Sequence, residues 1–200
     1  MDVVKSVYDS QDELLAAVQR LHLPNGFQCD VTFGKGGFYK NHVAPEYKFD
    51  IAPVVSGVIS ADSARLPLHD SVLDNIVFDP PFLTYVRAGR TGNGNMIMAK
   101  QFSGYWRYDE LEAHYAGSLV EFGRVLKPKG IVLFKCQDII HNHKLHLTHL
   151  MVIRHAEANG FYCKDMFLLQ AKHRLPSPNR AGTQRHARIY HSYFLVLEKK

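Results

Sequence analysis

The tetrapeptide Asp79-Pro80-Pro81-Phe82 follows an apolar run and combines a carboxylate, two rigid residues and an aromatic ring. An exocyclic amine on a nucleobase is a poor nucleophile, because its lone pair is delocalised into the ring. The Asp79 carboxylate and the Pro80 carbonyl are acceptors that can hold both N–H groups of such an amine in its reactive form. The prolines fix the backbone, and Phe82 is suited to stack on a flipped base. The alternative is that these residues merely end a strand.

A glycine-rich turn lies upstream, in residues 27–40, which we interpret as a short strand followed by the turn. Three glycines within four positions, Gly34, Gly36 and Gly37, let the backbone approach a ligand closely. Asp50 ends a second predicted strand, where dinucleotide sites carry their ribose-binding acid. The turn and the acid alone are compatible with either NAD or S-adenosylmethionine.

Two further strands are predicted to end at the same edge of the sheet. Residues 54–59 are interpreted as a third strand that delivers Asp62 and Ser63, either of which can bond an adenine amine. The fourth strand ends in Asp79. We therefore expect the glycine turn and Asp79 to face each other across one crevice.

The other elements follow from hydrophobic periodicity and capping signals. Ser10 is predicted to cap a first helix, and Asp109 a second. The predicted later elements are a buried strand over 131–136, a helix over 145–158 and strands over 161–170 and 189–197, which form an antiparallel pair. This pattern predicts an α/β fold with a seven-stranded, mostly parallel sheet, a C-terminal antiparallel hairpin and helices on both faces.

The histidines His141, His143, His146 and His149 allow two interpretations. They could bind a metal ion only if a helix began among them, and no carboxylate or cysteine stands at ligand spacing. We favour a solvated or DNA-facing histidine loop and expect no metal.

The composition fits one soluble domain spanning residues 1–200, with 46% hydrophobic residues. No signal sequence or membrane span is apparent, so we expect a cytoplasmic protein. The three cysteines are widely spaced within apolar segments, which is typical of reduced thiols.

A formal charge of +5 is compatible with a nucleic-acid partner, and two segments carry the predicted contacts. Residues 83–106 form a long predicted substrate loop, and residues 171–188 a basic loop in a stretch without acidic residues. The substrate loop is expected to order when the substrate binds, and the basic loop to contact phosphates. The alternatives are a disordered excursion for the first and a solvated surface loop for the second. Their predicted nucleic-acid-binding residues are Arg87, Arg90, Lys172, Arg174, Arg180, Arg185 and Arg188.

Three motifs together resemble those of the class I S-adenosylmethionine-dependent amino-methyltransferases. Phe33-Gly34-Lys35-Gly36-Gly37 resembles their Phe-x-Gly-x-Gly cofactor motif, and Asp79-Pro80-Pro81-Phe82 is similar to their catalytic motif. Residues 124–130 resemble their helix-to-strand junction, with Lys129 where a glycine is more usual. The order is similar to that of DNA adenine methyltransferases, especially small phage and prophage DNA methylases.

The resemblance implies a Rossmann-like fold, S-adenosylmethionine as the cofactor, and methyl transfer to an exocyclic nitrogen over residues 79–82. The restriction-associated relatives carry a separate target-recognition domain, for which this chain has no room. Recognition is therefore expected to rest on its two loops or on a partner, or to be loose. The predicted cofactor-binding residues are Asp30, Thr32, Phe33, Gly34, Gly36, Gly37, Asp50, Asp62 and Ser63.

Several functions remain open. The favoured one is DNA methylation at adenine N6 or cytosine N4. The alternatives are methylation of guanine N2 or adenine N6 in ribosomal or transfer RNA, and a scaffold that only binds nucleic acid. Glutamine methylation of proteins ranks lower, because that chemistry normally uses Asn at position 79.

Overall fold

The structure, a computed structural model, describes residues 3–84, 104–172 and 184–200. Its helices are α1 (Gln11–His22), α2 (Tyr108–Val125) and α3 (Thr148–Ala158), with a short 3-10 helix at Gly37–Tyr39. Its strands are β1 (Val7–Tyr8), β2 (Cys29–Asp30), β3 (Tyr47–Asp50), β4 (Ile59–Ser60), β5 (Leu73–Phe78), β6 (Leu126–Cys136), β7 (Ile139–His141), β8 (Lys144–His146), β9 (Phe161–Gln170) and β10 (His191–Lys199).

Eight strands form one sheet in the order β1-β9-β10-β6-β5-β2-β3-β4. Only β10 among them runs antiparallel to its neighbours, β6 and β9, and every other pairing is parallel. The predicted mostly parallel sheet with a C-terminal antiparallel hairpin is therefore confirmed. The predicted count of seven strands is one too low, because β1 adds to the edge of β9 with Val7 opposite Leu168.

The order in which consecutive strands are added to the sheet reverses between β2 and β5. From β2 the chain proceeds outward to β3 and β4, then returns to place β5 and β6 on the other side of β2. In parallel α/β sheets, a crevice opens at the carboxyl ends of the strands where the order reverses. The residues that follow β2 and β5 therefore lie at the position where such folds bind ligands.

Alternating apolar residues give the sheet two buried faces. On one face Val77 and Leu133 pack with the helix α1, whose Leu14 and Leu15 are fully buried. On the other face the side chains of β5 and β6 pack with the buried positions of α2 and α3. Helices thus cover both faces, as the sequence predicted. None of the described helices is long and apolar enough to cross a membrane.

Several predicted boundaries are corrected. The third strand comprises Ile59–Ser60 rather than residues 54–59, because Val54 and Val55 are exposed in a turn region. The helix predicted over 145–158 begins at Thr148, because Lys144–His146 pair in β8. Ser10 caps α1 as predicted. Asp109, however, lies inside α2, where Glu110 accepts the N–H of Arg107.

Candidate active site

Asp79 leaves the end of β5 directly beside the turn that follows β2. Its backbone N–H donates to Thr32 Oγ1 at 2.8 Å, and the N–H of Val31 donates to the Val77 carbonyl at 3.2 Å. Val31 and Thr32, which lead into the glycine turn, are therefore in direct contact with Val77 and Asp79 at the end of β5.

The Asp79 carboxylate is paired with a lysine on the neighbouring strand β6. Lys135 Nζ lies 3.0 Å from Asp79 Oδ2, and the two side chains are 15% and 26% exposed. The ammonium also lies about 5.5 Å above the ring of Phe38 and 5.4 Å from the ring centre of Phe194, and Gln11 Oε1 accepts from it at 3.4 Å. These contacts fix the cation and, through it, one carboxylate oxygen of Asp79.

Asp30, at the end of β2, is buried and bonded entirely within the protein. Its Oδ2 accepts the Tyr39 hydroxyl at 2.7 Å, and its Oδ1 accepts the N–H and hydroxyl of Thr32 at 2.7 and 3.2 Å. Burial raises the pKa of Asp30 to about 7; hydrogen bonds from Tyr39 and Thr32 oppose the shift, and the nearby Asp79 charge adds to it. The Asp30 side chain therefore stabilises the turn through its hydrogen bonds with Thr32 and Tyr39.

The glycine turn is tied to β3 through a second carboxylate. Asp50 accepts the N–H of Gly34 and the N–H of Ala52, each at 2.8 Å. Gly36 has φ +77° and packs so closely on Phe33 that an added Cβ would lie 2.9 Å from its ring. Around Gly37, by contrast, no atom stands within 4 Å of such a Cβ. The backbone at Gly37 is therefore open to close approach by a ligand.

The loop after β4 places its two predicted residues differently. Asp62 is exposed, and its Oδ1 accepts the N–H of Ala64 at 2.9 Å. Ser63 is only 5% exposed, and its hydroxyl lies 2.8 Å from both His114 Nε2 and Ser118 Oγ on α2. Asp62 thus faces solvent, while Ser63 binds the loop to α2.

The segment Asp79-Pro80-Pro81-Phe82 is anchored to α2 as well. The hydroxyl of buried Tyr115 donates to the Pro81 carbonyl at 2.8 Å. Pro80 is buried, whereas Asp79 and Phe82 are partly exposed. The backbone of the motif is therefore held from one side, with the acid and the ring at its accessible surface.

The basic loop begins and ends at the same edge of the sheet. Because β10 runs antiparallel to β6, with Tyr193 opposite Cys136, its first residues lie where β6 ends. Three of its predicted phosphate contacts are exposed there: Lys172, Arg185 and Arg188. The Lys172 ammonium pairs with Asp9 at 3.0 Å. The Arg188 guanidinium lies 5.7 Å from the Tyr190 ring centre. The predicted contacts Arg87, Arg90, Arg174 and Arg180 lie outside the described residues.

Sequence reasoning missed three residues of the site. Lys135 is the only charged residue in the apolar run 131–136, and its place near the end of a buried strand was a usable signal. Tyr39 and Tyr115 gave no such signal, because each occupies an apolar position typical of ordinary packing. Their hydroxyl partners depend on tertiary structure.

A hollow of about 510 Å³ lies near the amino-terminal ends of the central strands, beside Gly26, Asn75 and Lys129. It is distant from the strand ends that bring the carboxylates together.

Comparisons with known proteins give likenesses of fold. No family model matches the chain, and no curated protein matches its sequence. A putative sarcosine dimethylglycine methyltransferase from Galdieria sulphuraria superposes with a TM-score of 0.55 at 15% identity, over 94% of this chain and 84% of its own. A SAM-dependent methyltransferase from Archaeoglobus fulgidus gives a TM-score of 0.51 at 13% identity, over 95% of each chain.

A third solved structure is a putative DNA modification methylase from Thermus thermophilus, with a TM-score of 0.48 at 15% identity, over 76% of this chain. The chain spans 54% of the length of that methylase. With the strand order and the crevice described above, the first two likenesses settle the architecture: the chain has the Rossmann-like fold of the SAM-dependent methyltransferases.

Proposed function

We propose that this protein is an S-adenosylmethionine-dependent methyltransferase that acts on an exocyclic amine of a nucleobase, with adenine N6 or cytosine N4 of DNA as the favoured target. The observation that carries the proposal is the contact between Asp79 and Thr32 at 2.8 Å. This hydrogen bond from the Asp79 backbone joins the end of β5 to the residue that leads into the glycine turn, at the reversal point of the sheet. N-methylation needs an acceptor for the amine next to the methyl donor.

The residues around the turn fit S-adenosylmethionine. Asp50 receives two backbone N–H bonds, and a carboxylate has further lone pairs with which to accept a ribose hydroxyl. The backbone at Gly37 is open to the cofactor, and exposed Asp62 is available to an adenine amine. Asp30 and Ser63, which are buried and internally bonded, support these segments from beneath. When bound, the cofactor supplies a methyl group on a sulfonium, already activated for transfer.

Asp79 and Pro80 orient the acceptor amine. Lys135 holds Asp79 Oδ2, so Oδ1 is the oxygen placed to accept one N–H of the amine, while the Pro80 carbonyl accepts the other. Phe82 stacks on the flipped base. An amine nitrogen that accepts a methyl group would gain positive charge, which the Asp79 carboxylate would stabilise until the extra proton passed to solvent water.

The basic loop supports a nucleic acid as the carrier of that amine. Its described ends leave the sheet at the edge of the crevice, and exposed Lys172, Arg185 and Arg188 lie there. Positive side chains beside an active site bind phosphates whatever the base sequence.

The test is to incubate the protein with labelled methyl donor and duplex DNA, single-stranded DNA or total RNA, and to digest each product to nucleosides. We expect label in N6-methyladenine or N4-methylcytosine from DNA. Asp79→Ala should lower the transfer rate by about a hundredfold or more, with cofactor affinity measured by calorimetry unchanged.

The matched control is Asp74→Ala, which removes an exposed carboxylate from the opposite end of β5 and should transfer like the parent protein. Label in RNA nucleosides would move the target from DNA to RNA. Undiminished transfer by Asp79→Ala, or no labelled nucleoside from any substrate, would contradict the proposed chemistry.

A further inference from the structure

A short antiparallel ribbon lies beyond the carboxyl end of β6, beside the candidate active site. It consists of β7 and β8, in which Ile139 pairs with His146 and His141 with Lys144. The connecting residues Asn142 and His143 have φ +48° and +57°, which is the signature of a tight two-residue hairpin turn. The ribbon begins three residues after Cys136, the last residue of β6, so it starts where the catalytic strands end.

The base of the ribbon is clamped by a buried carboxylate. Asp138 precedes the ribbon, and its Oδ1 lies 2.7 Å from His149 Nδ1, which follows the ribbon. Its Oδ2 accepts the Tyr193 hydroxyl at 3.2 Å, and the His149 and Tyr193 rings stack with their centres 4.2 Å apart. Asp138 is only 5% exposed. The ribbon is therefore fixed at its base to β10 and α3.

Two side contacts join the ribbon to the surroundings of the catalytic motif. His141 Nδ1 lies 3.0 Å from Thr84 Oγ1, two residues beyond Phe82. On the other strand, the His146 ring lies 3.9 Å from the Tyr108 ring of α2. A molecule held by the ribbon is thus held in a fixed position relative to Asp79 and Phe82.

The tip of the ribbon has the character of a surface that binds an anion. Asn142, His143 and Lys144 are all exposed, and no Asp or Glu occurs between residues 139 and 156. The major groove of B-form DNA admits a two-stranded ribbon and is roughly 8.5 Å deep. The residues available to enter that groove are those of the exposed tip, Asn142 to Leu145, because Ile139 and His141 are buried. The major groove of A-form RNA is too narrow for side chains to read.

We propose that the β7–β8 ribbon enters the major groove of duplex DNA and holds the target beside Asp79, with His143 and Lys144 as its contact residues. This inference rests on the proposed function and assigns it a recognition element. It also gives a physical reason for DNA, rather than an RNA duplex, as the substrate.

The experiment compares the parent protein with His143→Gly/Lys144→Ala and with Lys144→Ala alone. Glycine suits the positive φ of residue 143, so the turn is retained, and Lys144 is exposed. Binding to matched DNA and RNA duplexes is measured by fluorescence anisotropy at several salt concentrations. We expect DNA binding by the double variant to weaken about tenfold or more, with the salt slope reduced by about one. Cofactor affinity and RNA binding should not change.

Lys127→Ala is the control, because Lys127 is a partly exposed lysine at the opposite end of β6. This variant should bind DNA like the parent. If the parent methylates DNA and both ribbon variants bind it with unchanged affinity and salt slope, the ribbon assignment is overturned while the proposed function stands. If the parent neither binds nor methylates any nucleic acid, the proposed function falls and the ribbon assignment falls with it.

Discussion

Two carboxylates meet at the ends of β2 and β5, and their surroundings give them different tasks. Asp30 is buried among neutral donors, Tyr39 and Thr32, whereas Asp79 is partly exposed and paired with Lys135. A buried carboxylate without a cation beside it favours its protonated form, which is the situation of Asp30. Position in the chain does not distinguish the two acids. Their neighbours do.

The raised pKa of Asp30 predicts a pH-dependent stability. Burial raises this pKa to about 7, against about 3.9 in an unfolded chain. Between those values the folded protein keeps a proton that the unfolded chain has lost, so the free energy of unfolding falls as the pH rises through this window and levels off above it. Urea unfolding at pH 5 and pH 8 should show a decrease on the order of a few kcal/mol.

Asp30→Asn is the matched variant, since it keeps the size of the side chain and cannot ionise. Its free energy of unfolding should change much less between the two pH values. An equal fall in both proteins would assign the pH dependence to other groups.

At the scale of elements, the turn between β2 and β3 should tolerate a side chain at Gly37 better than at Gly36. Gly36 has φ +77° and would bring a Cβ to 2.9 Å from the Phe33 ring, whereas Gly37 has open space around the corresponding position. The Gly36→Ala change should lower the free energy of unfolding by about 1–2 kcal/mol, since a left-handed backbone strains an alanine. Gly37→Ala should stay within about 0.5 kcal/mol of the parent. Chemical denaturation of both variants makes the comparison, and equal losses would contradict it.

The sequence predicted some elements closely and missed others for identifiable reasons. Strand β9 occupies the predicted Phe161–Gln170. Asn159-Gly160 ends the preceding helix, and the apolar residues that follow favour a strand from Phe161 onward. The ribbon was missed, because a hairpin turn of this type usually carries a glycine and here residue 143 is histidine. Lys129 has φ +66°, which explains why a glycine is more usual at that position in the resembling family.

For the candidate site, sequence motifs identified the acid and the glycine turn, whereas their supporting partners came only from the structure. Asp79 and Gly34 to Gly37 belong to short local patterns. Lys135 lies 56 residues from Asp79, and Tyr115 lies 34 residues from Pro81. Pairings over such separations depend on strand order and helix packing, which a single sequence does not encode locally.

At the scale of the whole molecule, the central strands hold two apolar cores together. Phe78 is fully buried, with its ring centre 5.1 Å from Phe122 and 4.9 Å from Phe134. Phe78→Ala should lower the free energy of unfolding by about 3–5 kcal/mol through lost contacts and a cavity, a large part of the roughly 5–15 kcal/mol that stabilises a typical domain. Val120→Ala, on an exposed face of α2, should change it little. Similar losses in both variants, measured by urea denaturation, would show that the core does not depend on Phe78.

The location of β10 has a consequence for how the chain folds. This strand is formed by residues 191–199, yet it lies between β6 and β9 in the interior of the sheet. During synthesis, β9 and β6 therefore each lack the partner on the side that β10 occupies until residues 191–199 emerge from the ribosome, and the two halves of the sheet must join late. Such non-local pairings fold slowly and leave strand edges unprotected in the meantime. The nascent protein should accordingly depend on chaperones more than a chain of similar length whose strands pair in sequence order.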